Sequence, residues 1–161
     1  KWMEIMYAAI EKNPNIYGIV IGAGVLEDEI KAKHKELNLE SKVFFLGLQS
    51  QVKPYYEAMD IFMMCSSFEG LPIALLEAMS MNCAIVSTNA GGIKEVLRHE
   101  IDGLMVDVDD WEKLSISILE LAENPAKMFH LQSKARSRVE ASFSIGVMVK
   151  ELETLYLTHK I

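Results

Sequence analysis

Ile61-Phe62-Met63-Met64-Cys65-Ser66-Ser67-Phe68-Glu69-Gly70-Leu71-Pro72-Ile73-Ala74-Leu75-Leu76-Glu77-Ala78-Met79 is the stretch on which the reading of this chain turns. Its apolar run Ile61 to Met64 has the length of a buried strand, Ser66 to Leu71 reads as a loop, and Ile73 to Met81 continues as an apolar helix. Ala84-Ile85-Val86-Ser87 follows as another strand, so the order strand, loop, helix, strand predicts a parallel βαβ unit. Pro72 suits the first helical turn, which leaves the amides of Gly70, Leu71 and Ile73 around the helix start. Such a terminus carries partial positive charge and suits a phosphate. Glu69 stands just before it, and Glu77, the only charge between Gly70 and Ile93, lies about one turn inside. A carboxylate in an apolar helix calls for a partner, because desolvating it alone costs several kcal/mol. Ligand hydroxyls would serve, and so would a distant Lys or Arg; Glu69 likewise reads either as a ligand contact or as a helix-capping acid. Neither acid suits a phosphate directly. The physical picture is a diphosphate on the amides, with polyol groups held by one Glu on each side.

Working outward, Lys1 to Lys12 has a helical pattern that Asn13-Pro14-Asn15 stops. Tyr17 to Ile21 reads as a strand apolar on both faces, as expected of a central parallel strand. Gly22-Ala23-Gly24 turns the chain into a helix from about Leu26 to Leu37, and Val43-Phe44-Phe45-Leu46 is a strand ended by Gly47. Val52 to Met59 is a short helix, Ile93 to Leu97 another, and Gly103 to Val106 a fifth strand. Beyond it Trp111, Leu114, Ile118 and Leu121 recur at helical spacing until Asn124-Pro125, and two more helices run from about Ala126 to Ala141 and Ser144 to His159. The expected fold is one α/β domain: a Rossmann-like, doubly wound parallel sheet of about five strands with a C-terminal helical tail. Ligands of such sheets bind beyond the carboxyl ends of the strands. The loops there are Gly22 to Gly24, Gly47-Leu48, Ser66 to Pro72 and Thr88 to Gly92. Gly22-Ala23-Gly24-Val25-Leu26-Glu27 resembles half of a dinucleotide fingerprint, but Glu27 stands at the third glycine and no acid about twenty residues on ends a second strand. That argues against NAD and leaves a tight turn or a phosphate- or sugar-facing loop.

Composition narrows the function further. Sixteen Lys and Arg against 23 Asp and Glu give 161 residues a net charge of −7, with no basic run, so nucleic acid is not the expected partner. Half the residues are apolar and 24% are charged, which excludes a disordered or fibrous chain. Cys65 and Cys83 lie in apolar stretches and read as buried thiols in a reducing compartment, and the scattered His34, His99, His130 and His159 offer no zinc spacing. Ile16 to Leu26, the longest apolar run, is too short to span a bilayer. Asp107-Val108-Asp109 imitates an Asp-x-Asp metal motif, yet Asp109 or Asp110 reads better as the N-cap of the Trp111 helix. Lys94 fits equally a phosphate contact and a solvated lysine.

Glu69 and Glu77, with seven residues between them in Ser-Ser-Phe-Glu-Gly-Leu-Pro-Ile-Ala-Leu-Leu-Glu-Ala-Met, resemble the donor-site motif of the group 1, family 4 glycosyltransferases. Val20 to Gly24 resembles that family's glycine loop, Val43 to Gly47 its next strand, Tyr55 to Asp60 the segment before the donor strand, and Ser87 to Val96 and Asp102 to Val106 its later loops. The resemblance implies that residues 1–161 are the C-terminal, nucleotide-sugar-binding lobe of a GT-B enzyme. It implies retaining transfer of a sugar from a UDP- or GDP-linked donor to a glycan, lipid or other acceptor, with no metal or other cofactor. By matching position, Glu69 is the catalytic residue and holds sugar hydroxyls, Glu77 takes the ribose, Gly70, Leu71 and Pro72 face sugar and diphosphate, Leu46-Gly47 borders the base, and Gly22 and Gly24 form the glycine loop. The enzyme is expected in the cytoplasm, free or peripheral at the inner face of the membrane. Members of that family commonly carry glycine and proline where this chain has Asn82 and Ala84. The family's first C-terminal strand, with its Arg and Lys, and the acceptor-binding N-terminal lobe are expected to precede Lys1. The chain alone is therefore expected to be inactive, with Met148, Leu152, Leu155 and Tyr156 forming an exposed apolar stripe. A non-catalytic nucleotide-binding module, or an epimerase or phosphorylase of the same architecture, are the alternative readings.

Overall fold

A computed structural model describes residues 1–158. In chain order its elements are α1 (Trp2–Lys12), β1 (Gly18–Ile21), α2 (Glu27–Glu36), β2 (Val43–Gly47), α3 (Lys53–Ala58), β3 (Ile61–Met64), α4 (Ile73–Ser80), β4 (Ala84–Thr88), α5 (Ile93–Val96) and β5 (Leu104–Val106). A 3₁₀ segment (Val108–Lys113) follows, then α6 (Leu114–Glu123), α7 (Pro125–Ser142) and α8 (Ile145–Thr158). The expected extension of the last helix to His159 lies outside the described residues.

All pairings between strands are parallel, and the sheet divides in two: β1 pairs with β2, while β3, β4 and β5 are neighbours in that order. Alternation along β3 and β4 sends Ile61, Met63, Ala84 and Val86 into one core with α1 and α6. Phe62, Met64 and Ile85 enter a second core with Leu75, Ala78 and Met79 of α4 and Ala135 and Val139 of α7. Helices thus cover both faces of this half, and every residue of β4 is buried. The β1–β2 pair is different. Val20, Val43 and Phe45 join the first core, but Phe44 is exposed and Ile19, Ile21 and Leu46 are half-buried. β1 is therefore covered on one face rather than on both. On that face α1 lies so close that a Cβ on Gly18 would stand 2.9 Å from the Trp2 ring.

Local chemistry explains the ends of the site-bearing helix. Pro72 is the N-cap of α4, with ψ of 94°, rather than a residue of its first turn; its ring fixes φ at −79°. At the other end Cys83 N–H donates to Ala78 O at 3.0 Å and Asn82 N–H to Met79 O at 3.2 Å, the Schellman arrangement. That arrangement needs a left-handed residue, and Asn82 supplies it with φ of +65°. Asn82 thus makes the turn for which the resemblance implied a glycine. Ala84 in place of proline retains an N–H, which donates to Asp60 O at 2.9 Å and fastens the start of β4 beside β3.

The tail begins where expected: Asn124 ends α6 and caps α7 by accepting from Lys127 N–H at 3.0 Å. The N-cap ahead of the Trp111 turn is Asp107, not Asp109 or Asp110. Asp110 lies inside the 3₁₀ segment and pairs with Lys113 at 2.6 Å, while Asp107 accepts from Asn89 at 2.5 Å. No residue of α8 is buried, and Met148, Leu152, Leu155 and Tyr156 are all exposed.

Candidate functional site

The carboxyl ends of β3 and β4 bring their loops together. Gly92 N–H donates to Glu69 O at 3.0 Å, and Thr88, fully buried at the end of β4, donates its hydroxyl to Ser66 O at 2.6 Å. The approach leaves no room for side chains: a Cβ on Gly91 would fall 2.1 Å from Glu69 O, and one on Gly92 2.0 Å from Gly70 O. Gly91 also has φ of +48°, in the region that favours glycine. The paired glycines of the β4–α5 loop are therefore a seat for the Glu69 loop.

The far end of α5 is clamped in turn. Arg138 of α7 donates to Val96 O at 2.5 Å and Glu95 O at 2.8 Å. Asp102, wholly buried, accepts two bonds from the Arg98 guanidinium at 2.6 and 2.8 Å, with Arg138 3.5 Å away.

Within the loop, Ser66 donates its hydroxyl to Glu69 Oε1 at 2.6 Å. Glu69 is half-buried, and Gly70 and Leu71 are exposed ahead of α4. Glu77 is exposed as well, which corrects the expectation of a desolvated carboxylate in an apolar helix. The helix turns that position outward, and its carboxylate Oε2 accepts from the Tyr56 hydroxyl at 3.1 Å. Burial, and then the Glu77 carboxylate itself, push the Tyr56 phenol well above its ordinary range. It stays a donor at neutral pH.

A cation stands at this loop too. Lys1 Nζ donates to Ser67 Oγ at 3.1 Å and lies 5.8 Å from the Trp111 ring centroid. This lysine is distinct from the Arg and Lys expected on a strand ahead of Lys1. Lys94, by contrast, is exposed.

The other expected site residues form a separate group at the ends of β1 and β2. Ile21 and Gly47 are register partners, and Gly22 N–H donates to Gly47 O at 2.8 Å. Leu46 O accepts from the Gln49 side chain at 2.6 Å. A Cβ on Gly22, Gly24 or Gly47 would meet nothing within 4 Å, so this loop is open where the Glu69 loop is seated. Among the described residues no group of three or more His, Cys, Asp or Glu is placed to hold a metal ion. Burial pushes both thiols up, Cys83 to about 11, which leaves neither as a nucleophile at neutral pH. His99 Nδ1 accepts from Met105 N–H at 3.0 Å and is committed to the fold.

The sequence placed Ser66 and Thr88 in site loops without a role, and gave Tyr56 and Lys1 no part in the site. Ser66 alone left a local trace, the Ser-x-x-Glu spacing to Glu69, which usually marks a capping box and here joins two side chains with no helix between them. The other three act across 21, 22 and 66 residues of chain, and nothing local marks them.

Comparison with known proteins places this geometry. The chain is 33% identical over 138 residues, 85% of its length, to the Campylobacter jejuni N-acetylgalactosamine-N,N'-diacetylbacillosaminyl-diphospho-undecaprenol 4-alpha-N-acetylgalactosaminyltransferase, of which it spans 38%. In structure it resembles Anabaena Alr3699/HepE in complex with UDP-glucose, with a TM-score of 0.84 at 24% identity over 94% of this chain and 44% of that one. It also resembles the C-terminal domain of the group 1 glycosyl transferase LpcC from Francisella tularensis, with a TM-score of 0.81 at 23% identity over 89% of this chain and 78% of that one. The fold is that of a C-terminal GT-B lobe. Residues 4–138 match the family Glycosyl transferases group 1, and the chain belongs to that family.

Proposed function

We propose that this chain is the donor-binding lobe of a retaining glycosyltransferase that moves a sugar from a UDP- or GDP-linked donor to a lipid-linked or glycan acceptor. The observation that carries the reading is the seated loop Ser66 to Pro72, which presents Glu69 and the Gly70 and Leu71 amides at the start of α4. In this reading the amides of Gly70, Leu71 and Ile73 take the diphosphate, aided by the helix terminus after Pro72 and by the Lys1 ammonium. Glu69, the catalytic residue, has one oxygen on Ser66 and offers the other to donor sugar hydroxyls. Glu77 holds the ribose. Gly22, Gly24, Leu46 and Gly47 line the base side through backbone and small atoms. Phosphate neutralisation then rests on amides and a lysine, without a metal.

We further propose that the whole enzyme has an acceptor lobe and one more strand ahead of Lys1. Support comes from the sheet, since β1 and β3 each have one partnered edge and share a core through α1 and α6. A helix that leads into a parallel strand, as α1 leads into β1, ordinarily completes a crossover from a strand beside it. One strand between β1 and β3 would give the order 3-2-1-4-5-6 of a doubly wound sheet. The exposed stripe on α8 would then be covered by the other lobe, and the chain alone would transfer no sugar. No helix among the described residues is long and apolar enough to cross a membrane. With lipid-linked substrates named for relatives, the reading puts the enzyme in the cytoplasm at the membrane's inner face.

Titration of the chain with UDP, GDP and their sugar conjugates tests the assignment. Glu77→Ala is expected to weaken plain nucleotide about tenfold, the loss of one charged hydrogen bond. Glu69→Ala is expected to spare plain nucleotide and weaken only the sugar-bearing donors. Equal losses on plain UDP or GDP would show the two roles to be wrongly divided.

A further inference from the structure

Tyr56 belongs to α3, yet its hydroxyl reaches α4, 3.1 Å from Glu77 Oε2 and 3.4 Å from Ala74 O. A phenol has one proton to give, and the carboxylate is both the nearer and the charged acceptor, so Glu77 receives it. The ring has little freedom. It is buried, lies 6.1 Å from the Phe62 ring at 49°, and its own carbonyl accepts from Cys83 Sγ at 3.3 Å and Met59 N–H at 3.2 Å. Glu77 has no such walls: it is exposed, and an exposed glutamate samples many rotamers that binding must freeze.

We infer that Tyr56 is a positioning residue for the nucleotide, its hydroxyl holding Glu77 Oε2 so that Oε1 is aimed at the ribose hydroxyls. This rests on the reading of Glu77 as the ribose ligand and adds the group that orients it. The phenol, buried and beside a carboxylate, keeps its proton through the neutral range. Its hydroxyl therefore acts as a fixed donor and not as a titrating switch.

The test titrates UDP and 2',3'-dideoxy-UDP into the chain and its Tyr56→Phe, Glu77→Gln and doubly substituted variants. Tyr56→Phe is expected to weaken UDP about tenfold, to leave the dideoxy nucleotide unchanged, and to add nothing in the Glu77→Gln background. Unchanged UDP affinity, or an equal loss for both nucleotides, overturns the positioning role while Glu77 keeps the ribose. A wild-type chain that binds both nucleotides equally overturns the ribose reading, and the inference falls with it. A fluorinated tyrosine at position 56 covers the event that the phenylalanine variant misfolds, since it keeps the shape but has a more acidic phenol. Its UDP affinity should fall as pH rises through that lowered pKa, because a phenolate cannot donate and repels Glu77, while its dideoxy affinity stays level. A UDP profile as flat as that of the wild type overturns the proposal.

Discussion

The β1–β2 half and the β3–β4–β5 half each end in a glycine-bearing loop, but the molecule treats the two loops differently. At the end of β1, Gly22 and Gly24 have open space where a side chain would go, and the Gly22 amide is spent on Gly47. At the end of β3, the Glu69 loop is held by Thr88, by Gly92 and by its own Ser66, with Gly91 and Gly92 packed against its backbone. The difference follows from the layers. β3 and β4 are neighbours with helices on both faces, so their loops emerge together and brace each other. The β1–β2 pair has one covered face, and its loop meets solvent. A glycine marks a close approach in one place and mere freedom in the other.

The largest expected effect comes from joining the two halves. A chain extended by the strand proposed to lie ahead of Lys1 should gain at least about 5 kcal/mol of stability by burying that strand's apolar side chains between β1 and β3. That corresponds to a rise on the order of 10–20 °C in Tm. A calorimetric scan that shows no gain would mean that the two halves stand as one sheet without it.

Next in size is the seat. Gly92→Ala forces a Cβ against Gly70 O and should cost about 3 kcal/mol by overpacking, with loss of UDP binding even below the new melting point. Chemical denaturation measures the first part and titration the second. Wild-type stability in this variant would show that the β4–α5 loop moves aside freely.

Ser66→Ala is a smaller and more selective change. It removes one charge-assisted bond to Glu69, so affinity for a sugar-bearing donor should drop about tenfold while UDP itself is bound as before. Isothermal titration with UDP and UDP-glucose separates the two. The least effect is expected for Gly24→Ala, which meets nothing within 4 Å and should change stability by no more than about 0.5 kcal/mol. A large loss there would erase the contrast between the loops.

Much of this architecture could be read residue by residue. The apolar runs Tyr17 to Ile21, Val43 to Leu46, Ile61 to Met64, Ala84 to Ser87 and Gly103 to Val106 match the five strands to within one residue at each end, and Asn124-Pro125 divides α6 from α7. These features are local: strand length, helical period and the geometry of proline and asparagine act within a few residues. The Glu69 and Glu77 pair was legible for the same reason, since both acids lie within nine residues of one strand-to-helix turn. What holds those carboxylates was not. Tyr56 reaches Glu77, Thr88 reaches Ser66 and Lys1 reaches Ser67 only because the chain has folded back over 21, 22 and 66 residues. Glu77 looked like a buried acid because its neighbours in sequence are apolar, whereas the helix phase that exposes it is fixed by Leu75, Ala78 and Met79 docking against the sheet. Sequence determined the elements and the chemical groups. Tertiary structure decided which groups are braced and which are free, because bracing depends on what other elements bring alongside, and local preference carries no record of it.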